Sequence, residues 1–332
     1  MVTAVTGASG HVGANLVRAL IAQGRAVRVL VRSDHRAFDG LDVEQVHGDV
    51  TDPNTLARLV DGAEIVHHLA ARITLAYHRD ALATQINVGG TQHVVDACLR
   101  ARVKRLVHYS SIHAFDAHPV AEPVTESRVM ALGADVPIYD RTKAEAENIV
   151  RGAITRGLDA VIVNPTAIIG PNDFKPSAMG KLLCDLFTGR VPALVRGGFN
   201  WVDVRDVVDG ALLAEAKGRA GENYLLGGHY ATFQALTALT ASVGGARAPR
   251  WFIPVGLAAM AVPFAAIYTA AAKGTPTFTR ASLRAITHHQ DIRIDKACTE
   301  LGYAPRPFVD TLRDTHAWFR DSGALATKQP TT

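Results

Sequence analysis

Two rhythms of apolar residues alternate along this chain. Short, largely apolar runs at Val2 to Val5, Ala26 to Val31, Val43 to His47, Glu64 to Ala70, Arg105 to Ser110 and Ala160 to Val163 are separated by stretches in which apolar positions return every three or four residues. Val12, Leu16, Val17, Leu20 and Ile21 form one such stripe, Leu56, Leu59 and Val60 another, and Gln85 to Ala101 a third. Near-continuous apolar runs are the signature of strands buried on both faces, and a 3.6-residue period is that of helices packed on one side. Strand and helix in strict alternation predict an α/β fold around a doubly wound parallel sheet. Asp52-Pro53 marks a helix start, with a side-chain cap followed by a proline that fits the first turn.

The first strand passes directly into Thr6-Gly7-Ala8-Ser9-Gly10-His11-Val12-Gly13 and then into a helix. Glycines at 7, 10 and 13 allow a tight turn, close approach of the backbone to a pyrophosphate and close helix-sheet packing, while the helix start offers amides and partial positive charge. A Rossmann dinucleotide site is therefore expected, with Gly7, Ser9, Gly10, His11, Val12 and Gly13 against the cofactor. The second strand ends in Arg32-Ser33-Asp34. A guanidinium there suits the 2′-phosphate of NADP, so NADP(H) is expected over NAD(H), with Asp34 as the competing ribose acceptor. Asp49, after the third strand, is placed either to accept from the adenine amino group or simply to organise its turn.

Pro137-Ile138-Tyr139-Asp140-Arg141-Thr142-Lys143 puts a phenol and an ammonium four residues apart, on one helical face. A tyrosine ordinarily titrates near ~10, and an adjacent positive charge favours its phenolate, so the pair is a proton-transfer device. Ser111 follows the fifth strand, where a hydroxyl can point at the nicotinamide, with Ser110 as its rival. Asn164-Pro165-Thr166 begins the loop after the sixth strand.

Composition narrows the partners. The chain has 332 residues, 48% of them hydrophobic, enough for a large core. A net charge of +4 without a Lys/Arg block does not indicate nucleic acid. Cys98, Cys184 and Cys298 are scattered and odd in number, as suits a reducing cytoplasm, and they predict neither a disulfide framework nor a metal site. His67-His68 and His288-His289 lack ligand spacing and read as structural. With residue 2 already in a strand, no leader peptide is expected. Trp251 to Ala272 is nearly uncharged, but Pro254 and Pro263 interrupt it. It reads as a buried helix pair lining the substrate pocket, with peripheral membrane contact as the alternative and no transmembrane span. The expected division is 1–170, mainly the NADP-binding Rossmann domain; 171–321, mainly a smaller C-terminal α/β substrate lobe with elements returning to the first; and 322–332, a flexible tail. A monomer or homodimer is expected.

Together the glycine loop, Gly48-Asp49-Val50-Thr51-Asp52, His68-Leu69-Ala70-Ala71, Asn87-Val88-Gly89-Gly90-Thr91, Ser110-Ser111, Tyr139 with Lys143 and Asn164-Pro165 resemble the extended short-chain dehydrogenase/reductases over nearly the whole chain. The nearest likeness is to the dihydroflavonol-reductase and 3β-hydroxysteroid-dehydrogenase branch and to bacterial hopanoid-associated sugar epimerase-like proteins, supported by Lys175-Pro176, Trp201-Val202-Asp203-Val204-Arg205-Asp206-Val207 and Leu301-Gly302-Tyr303. The resemblance implies that Ser111 polarises a substrate carbonyl, Tyr139 exchanges the proton, and Lys143 holds the nicotinamide ribose while tuning Tyr139. Asp49, Val50, Leu69, Ala70, Ala71, Asn87, Asn164, Pro165 and Thr166 would complete the cofactor site, and Ile73, His113, Ile168 and Trp201 would meet a small-molecule substrate. Two departures lean away from sugar nucleotides: Thr287-His288-His289-Gln290-Asp291-Ile292-Arg293 lacks the expected diphosphate clamp, and Phe115-Asp116 stands where Tyr-Gly is usual. The leading expectation is an NADPH-dependent carbonyl reductase acting on an apolar ketone or aldehyde. An NAD(P)-dependent epimerase and a non-catalytic NADP-binding sensor are the alternatives.

Overall fold

The computed structural model describes residues 1–271 and 279–326. In its first half β1 (Val2–Thr6), α1 (His11–Ala22), β2 (Ala26–Val31), β3 (Glu44–His47), α2 (Pro53–Val60) and β4 (Ile65–His68) follow the expected alternation. Asp52 caps α2, accepting from the Asn54 amide, and Pro53 opens the helix. The next helix starts earlier than its apolar stripe suggested. Asp80 caps α3 (Ala81–Thr84), which runs through a π turn at Gln85–Gly89 into α4 (Gly90–Ala101). Then come β5 (Arg105–Tyr109), α5 (Ile138–Ile154) and β6 (Ala160–Pro165), the last two residues longer than its hydrophobic run.

Beyond β6 the chain builds β7 (Ala167–Ile169), α6 (Ala178–Phe187), β8 (Ala193–Val195), β9 (Gly198–Asp203), α7 (Val204–Lys217), β10 (Asn223–Leu226), β11 (His229–Thr232), α8 (Phe233–Gly244), β12 (Trp251–Ile253), α9 (Val255–Ala271), α10 (Arg280–Ala285) and α11 (Phe308–Asp321). The expected helix pair at 251–272 is instead a short strand and one helix, with Pro254 ahead of the helix and Pro263 inside it; Ala272 and residues 327–332 of the expected tail lie outside the described residues. Among the described residues no helix is long and apolar enough to cross a membrane.

Seven parallel strands form the main sheet in the order β10-β6-β5-β4-β1-β2-β3. Helices cover both faces. On one, Leu16, Val17 and Leu20 of α1 pack with Val207, Val208 and Ala211 of α7; on the other, Leu56 and Leu59 of α2 pack with Val94 and Val95 of α4 and Val150 of α5. From β1 the chain winds outward to β2 and β3, then returns to β4 on the other side. This reversal opens a crevice at the carboxyl ends of the strands, where α/β sheets receive ligands. A separate core around Trp201, Phe187, Phe233, Leu312 and Phe319 supports the lobe facing that crevice.

Candidate active site

The loop after β1 is shaped by contacts only glycine satisfies. Gly7 has φ +69° and lies so close to the β4 end that an added Cβ would stand 2.6 Å from the Ala70 nitrogen. Any side chain at Gly13 would collide with the Gly7 carbonyl and Ala8. Gly10 N-caps α1 without a side-chain cap, and the first turn carries no acid. Its leading amides are thus open to an anion. Gly7, Gly10, His11, Val12 and Gly13 form one wall of a cavity of about 480 Å³. The backbone cradle and open amides fit a dinucleotide pyrophosphate. Ser9 is half-buried beside this wall.

The strand ends supply the rest. Leu69 and Ala71 come from the end of β4, Ser110 and Ser111 from that of β5, and Pro165 and Thr166 from that of β6, with Ile73 and Ile168 beside them. Ala70 anchors this region by donating its amide to Thr6 Oγ1 at 3.2 Å. The Ser111 hydroxyl accepts from the His113 amide at 3.2 Å, and the buried Ser110 Oγ has no partner among the described residues. Tyr139 and Lys143 project from the first turns of α5 into the same cavity. Their electrostatics differ from the expected pairing. The Lys143 ammonium donates to the Tyr109 carbonyl at 2.8 Å, and burial lowers its pKa to about 8 against the opposing charge of Glu147. Burial pushes the Tyr139 phenol up to about 12, with the Ser111 hydroxyl pulling the other way and Asp140 adding to the rise. The ammonium is engaged at the end of β5 and does not depress the phenol, so at neutral pH Tyr139 holds its proton.

A cluster unforeseen as a unit flanks the phenol. The His113 ring lies 5.8 Å from that of Tyr139 and 5.5 Å from that of His289. Burial opposes charge on His113, but Asp140, with Oδ1 3.2 Å from Nδ1, prevails and raises its pKa. His289 is lowered to about 3, chiefly by burial and further by His113, so it is neutral and donates from Nε2 to the Phe115 carbonyl at 3.1 Å. His288, Arg284 and Ala281 also line the cavity. The adjacency of His288 and His289 is legible in the sequence, but their return to the site from far along the chain is not.

Residues 3–227 match the NAD dependent epimerase/dehydratase family. The chain belongs to that family, among the extended short-chain dehydrogenase/reductases. It is an NAD(P)-dependent oxidoreductase. A Methylococcus capsulatus protein named sterol demethylase protein B is 37% identical over 333 residues, spanning 98% of this chain and 100% of its own. The putative dihydroflavonol 4-reductase of a Synechocystis species is 31% identical over 330 residues, spanning 98% and 96%. Among solved structures, DesIV of Streptomyces venezuelae, a dTDP-glucose 4,6-dehydratase with NAD and TYD bound, superposes with a TM-score of 0.77 at 26% identity, covering 98% of each chain.

Several residues expected at this dehydrogenase/reductase site do not line the cavity. Trp201 is 1% exposed, stacked on Phe308, met edge-on by Phe199 and Phe233, and donating Nε1 to the Ala231 carbonyl at 3.0 Å; its neighbours Phe199 and Asn200 line the cavity instead. Asn164 is fully buried and committed to Glu147, Asn223 and the Ser111 carbonyl. Asn87 ties Thr142 to the Arg72 backbone, and Val50 packs beneath Gly90; neither lines the cavity. Asp49 accepts from the amide and hydroxyl of Thr51, which is its turn-forming role. Arg32 is exposed, with Nη1 3.7 Å from Asp49. None of residues 251–263 lines the cavity, so the weakly charged stretch there is not the pocket wall expected of it. Among the described residues no group of His, Cys, Asp or Glu is arranged for a metal.

Proposed function

We propose that this oxidoreductase is an NADP(H)-dependent carbonyl reductase, or in reverse an alcohol dehydrogenase, acting on an apolar ketone or aldehyde. The observation that carries the reading is a protonated Tyr139 in a cavity whose walls are largely hydrocarbon, including Ile73, Leu75, Ile112, Ile168, Met179 and Phe199. Reduced nicotinamide supplies the hydride when bound. Tyr139 holds a proton at Oη and delivers it to the carbonyl oxygen as the new C–H bond forms, while the Ser111 hydroxyl donates to the same oxygen. Lys143 remains charged at neutral pH and can hold the nicotinamide ribose. Arg32, exposed at the end of β2, is the candidate ligand for the 2′-phosphate of NADP. Relatives named for a sterol and for a dihydroflavonol are in keeping with an apolar substrate.

An epimerase or dehydratase that returns the hydride within one catalytic cycle is the second reading, favoured by the likeness to DesIV and by Arg284 on the cavity wall. Against it, Arg293, in the segment where a diphosphate clamp would stand, pairs with Asp291 and does not line the cavity. A panel of ketones and aldehydes with NADPH, followed at the nicotinamide absorbance, tests the choice. Steady oxidation with alcohol formed in equal amount is expected, whereas product isomerised without net cofactor change favours the second reading.

A further inference from the structure

We propose that the face formed by β12, the start of α9 and the adjoining end of β8 docks on an anionic lipid surface. This goes beyond the reductase reading and does not depend on it. Trp251 and Ile253 project from the same side of β12 and are 71% and 39% exposed, while Leu257 and Met260, three apart on α9, are 59% and 69% exposed. The opposite sides of both elements are anchored: Phe252, Ala258 and Val262 pack into the lobe core. Every exposed residue from Trp251 to Pro263 is apolar. Single exposed apolar residues are ordinary, but four large ones on a strand and the first turns of the helix that follows it make a patch of the kind that marks an interaction surface.

Charge selects the occupant. No Asp or Glu occurs between Glu222 and Asp291, whereas Arg247, Arg250, Lys273, Arg280 and Arg284 do. Arg250 immediately precedes Trp251, and the Arg196 amide donates to the Ile253 carbonyl at 2.8 Å, fixing that residue at the patch edge. Arg196, Arg247 and Arg250 are exposed and form no ion pair among the described residues. A second copy of this chain docking by two-fold symmetry would bring this patch against itself, arginines included, with no carboxylate in the segment to receive them. An anionic bilayer supplies both missing complements, headgroup charge for the arginines and a hydrocarbon boundary for Trp251, Leu257 and Met260. The site lies close by, since α10 packs on α9 and contributes Ala281, Arg284 and Ala285 to the cavity. A docked molecule would therefore have its substrate cavity beside the bilayer.

The test is sedimentation of the full chain with phosphatidylcholine vesicles, with and without phosphatidylglycerol, as salt is raised. Trp251 fluorescence is a second readout, because of the three tryptophans Trp201 is buried and Trp318 partly so. The expected result is binding to phosphatidylglycerol vesicles that falls with salt, a blue shift lost in Trp251→Phe, and binding weakened at least roughly tenfold by Arg247→Glu with Arg250→Glu or by Leu257→Ser with Met260→Ser. All four positions are exposed, and thermal melts confirm that the variants fold. No binding, equal binding to vesicles lacking phosphatidylglycerol, or variants that bind like the parent would overturn the proposal. So would sedimentation velocity showing a dimer, without lipid, that Leu257→Ser with Met260→Ser converts to monomer.

Discussion

Lys143 keeps its ammonium among buried groups, with only the Tyr109 carbonyl and the charge of Glu147 to compensate. Its pKa falls from the usual 10.5 to about 8. Below pH 8 the folded protein therefore holds a charge whose desolvation the unfolded chain does not bear, at a cost of roughly 3 kcal/mol. Between pH 8 and 10.5 the folded state has released this proton and the unfolded state has not, so this group's contribution makes stability rise with pH across that window. Lys143→Met should accordingly unfold at higher urea than the parent at pH 7, lose that rise, and turn over poorly. A lower midpoint at every pH would show that the Tyr109 hydrogen bond outweighs the desolvation. Arg32 carries the cofactor choice: a charge-assisted hydrogen bond contributes about 1.5–3 kcal/mol. Arg32→Ala should weaken NADPH by about one to two orders of magnitude and barely change NADH, as titration of both cofactors would reveal; equal losses would assign the ribose to Asp34 or the backbone. Ser111, Tyr139, Lys143 and the glycine loop could be singled out in the sequence because each sits at a strand end or helix start, and the structure brings them to one cavity. Asn164 and Trp201 are committed to the interior by burial and hydrogen-bond partners that a linear pattern does not show.

At the scale of elements, Glu147 of α5 accepts from Asn164 of β6 at 3.1 Å, from Asn223 of β10 at 2.6 Å and from Arg151 at 3.0 Å. This wholly buried carboxylate ties the helix bearing Tyr139 and Lys143 to two strands of the sheet. Removing one partner of a buried charged network leaves the others unpaired, so Glu147→Ala should cost roughly 3–5 kcal/mol in urea unfolding. Glu147→Gln, which keeps an acceptor and the volume, should cost less, and an alanine variant as stable as the parent would show that the network does not hold α5 in place. Through β6 the apolar period marked the strands together with α1, α2 and α4, whereas α3 gave no such sign and α5 was read from the spacing of Tyr139 and Lys143. Asn223–Leu226 was not, because its four residues precede the Gly227-Gly228 turn and include an asparagine, yet pairing with β6 makes it the seventh parallel strand. The stretch beginning at Trp251 misled for the opposite reason: its weak charge suggested burial, whereas much of its described part is exposed.

Across the whole molecule, the parallel sheet sets the cofactor loop, Ser111 and Tyr139 around one crevice, and the later chain closes it with Phe199, Arg284, His288 and His289. That closure was the least legible part, since it depends on long-range packing between segments whose local patterns carry no sign of the crevice. In the proposed reaction Tyr139 gives its proton to a carbonyl as NADPH is consumed. The most direct measurement follows NADPH absorbance and alcohol formation together, for the parent and Tyr139→Phe, with a ketone identified from the panel. The parent should consume one NADPH per alcohol formed, and the Phe variant should bind NADPH normally but be slower by roughly 10²- to 10⁴-fold. A Phe variant with near-parental turnover, or product formed by the parent with no net loss of NADPH, would contradict it.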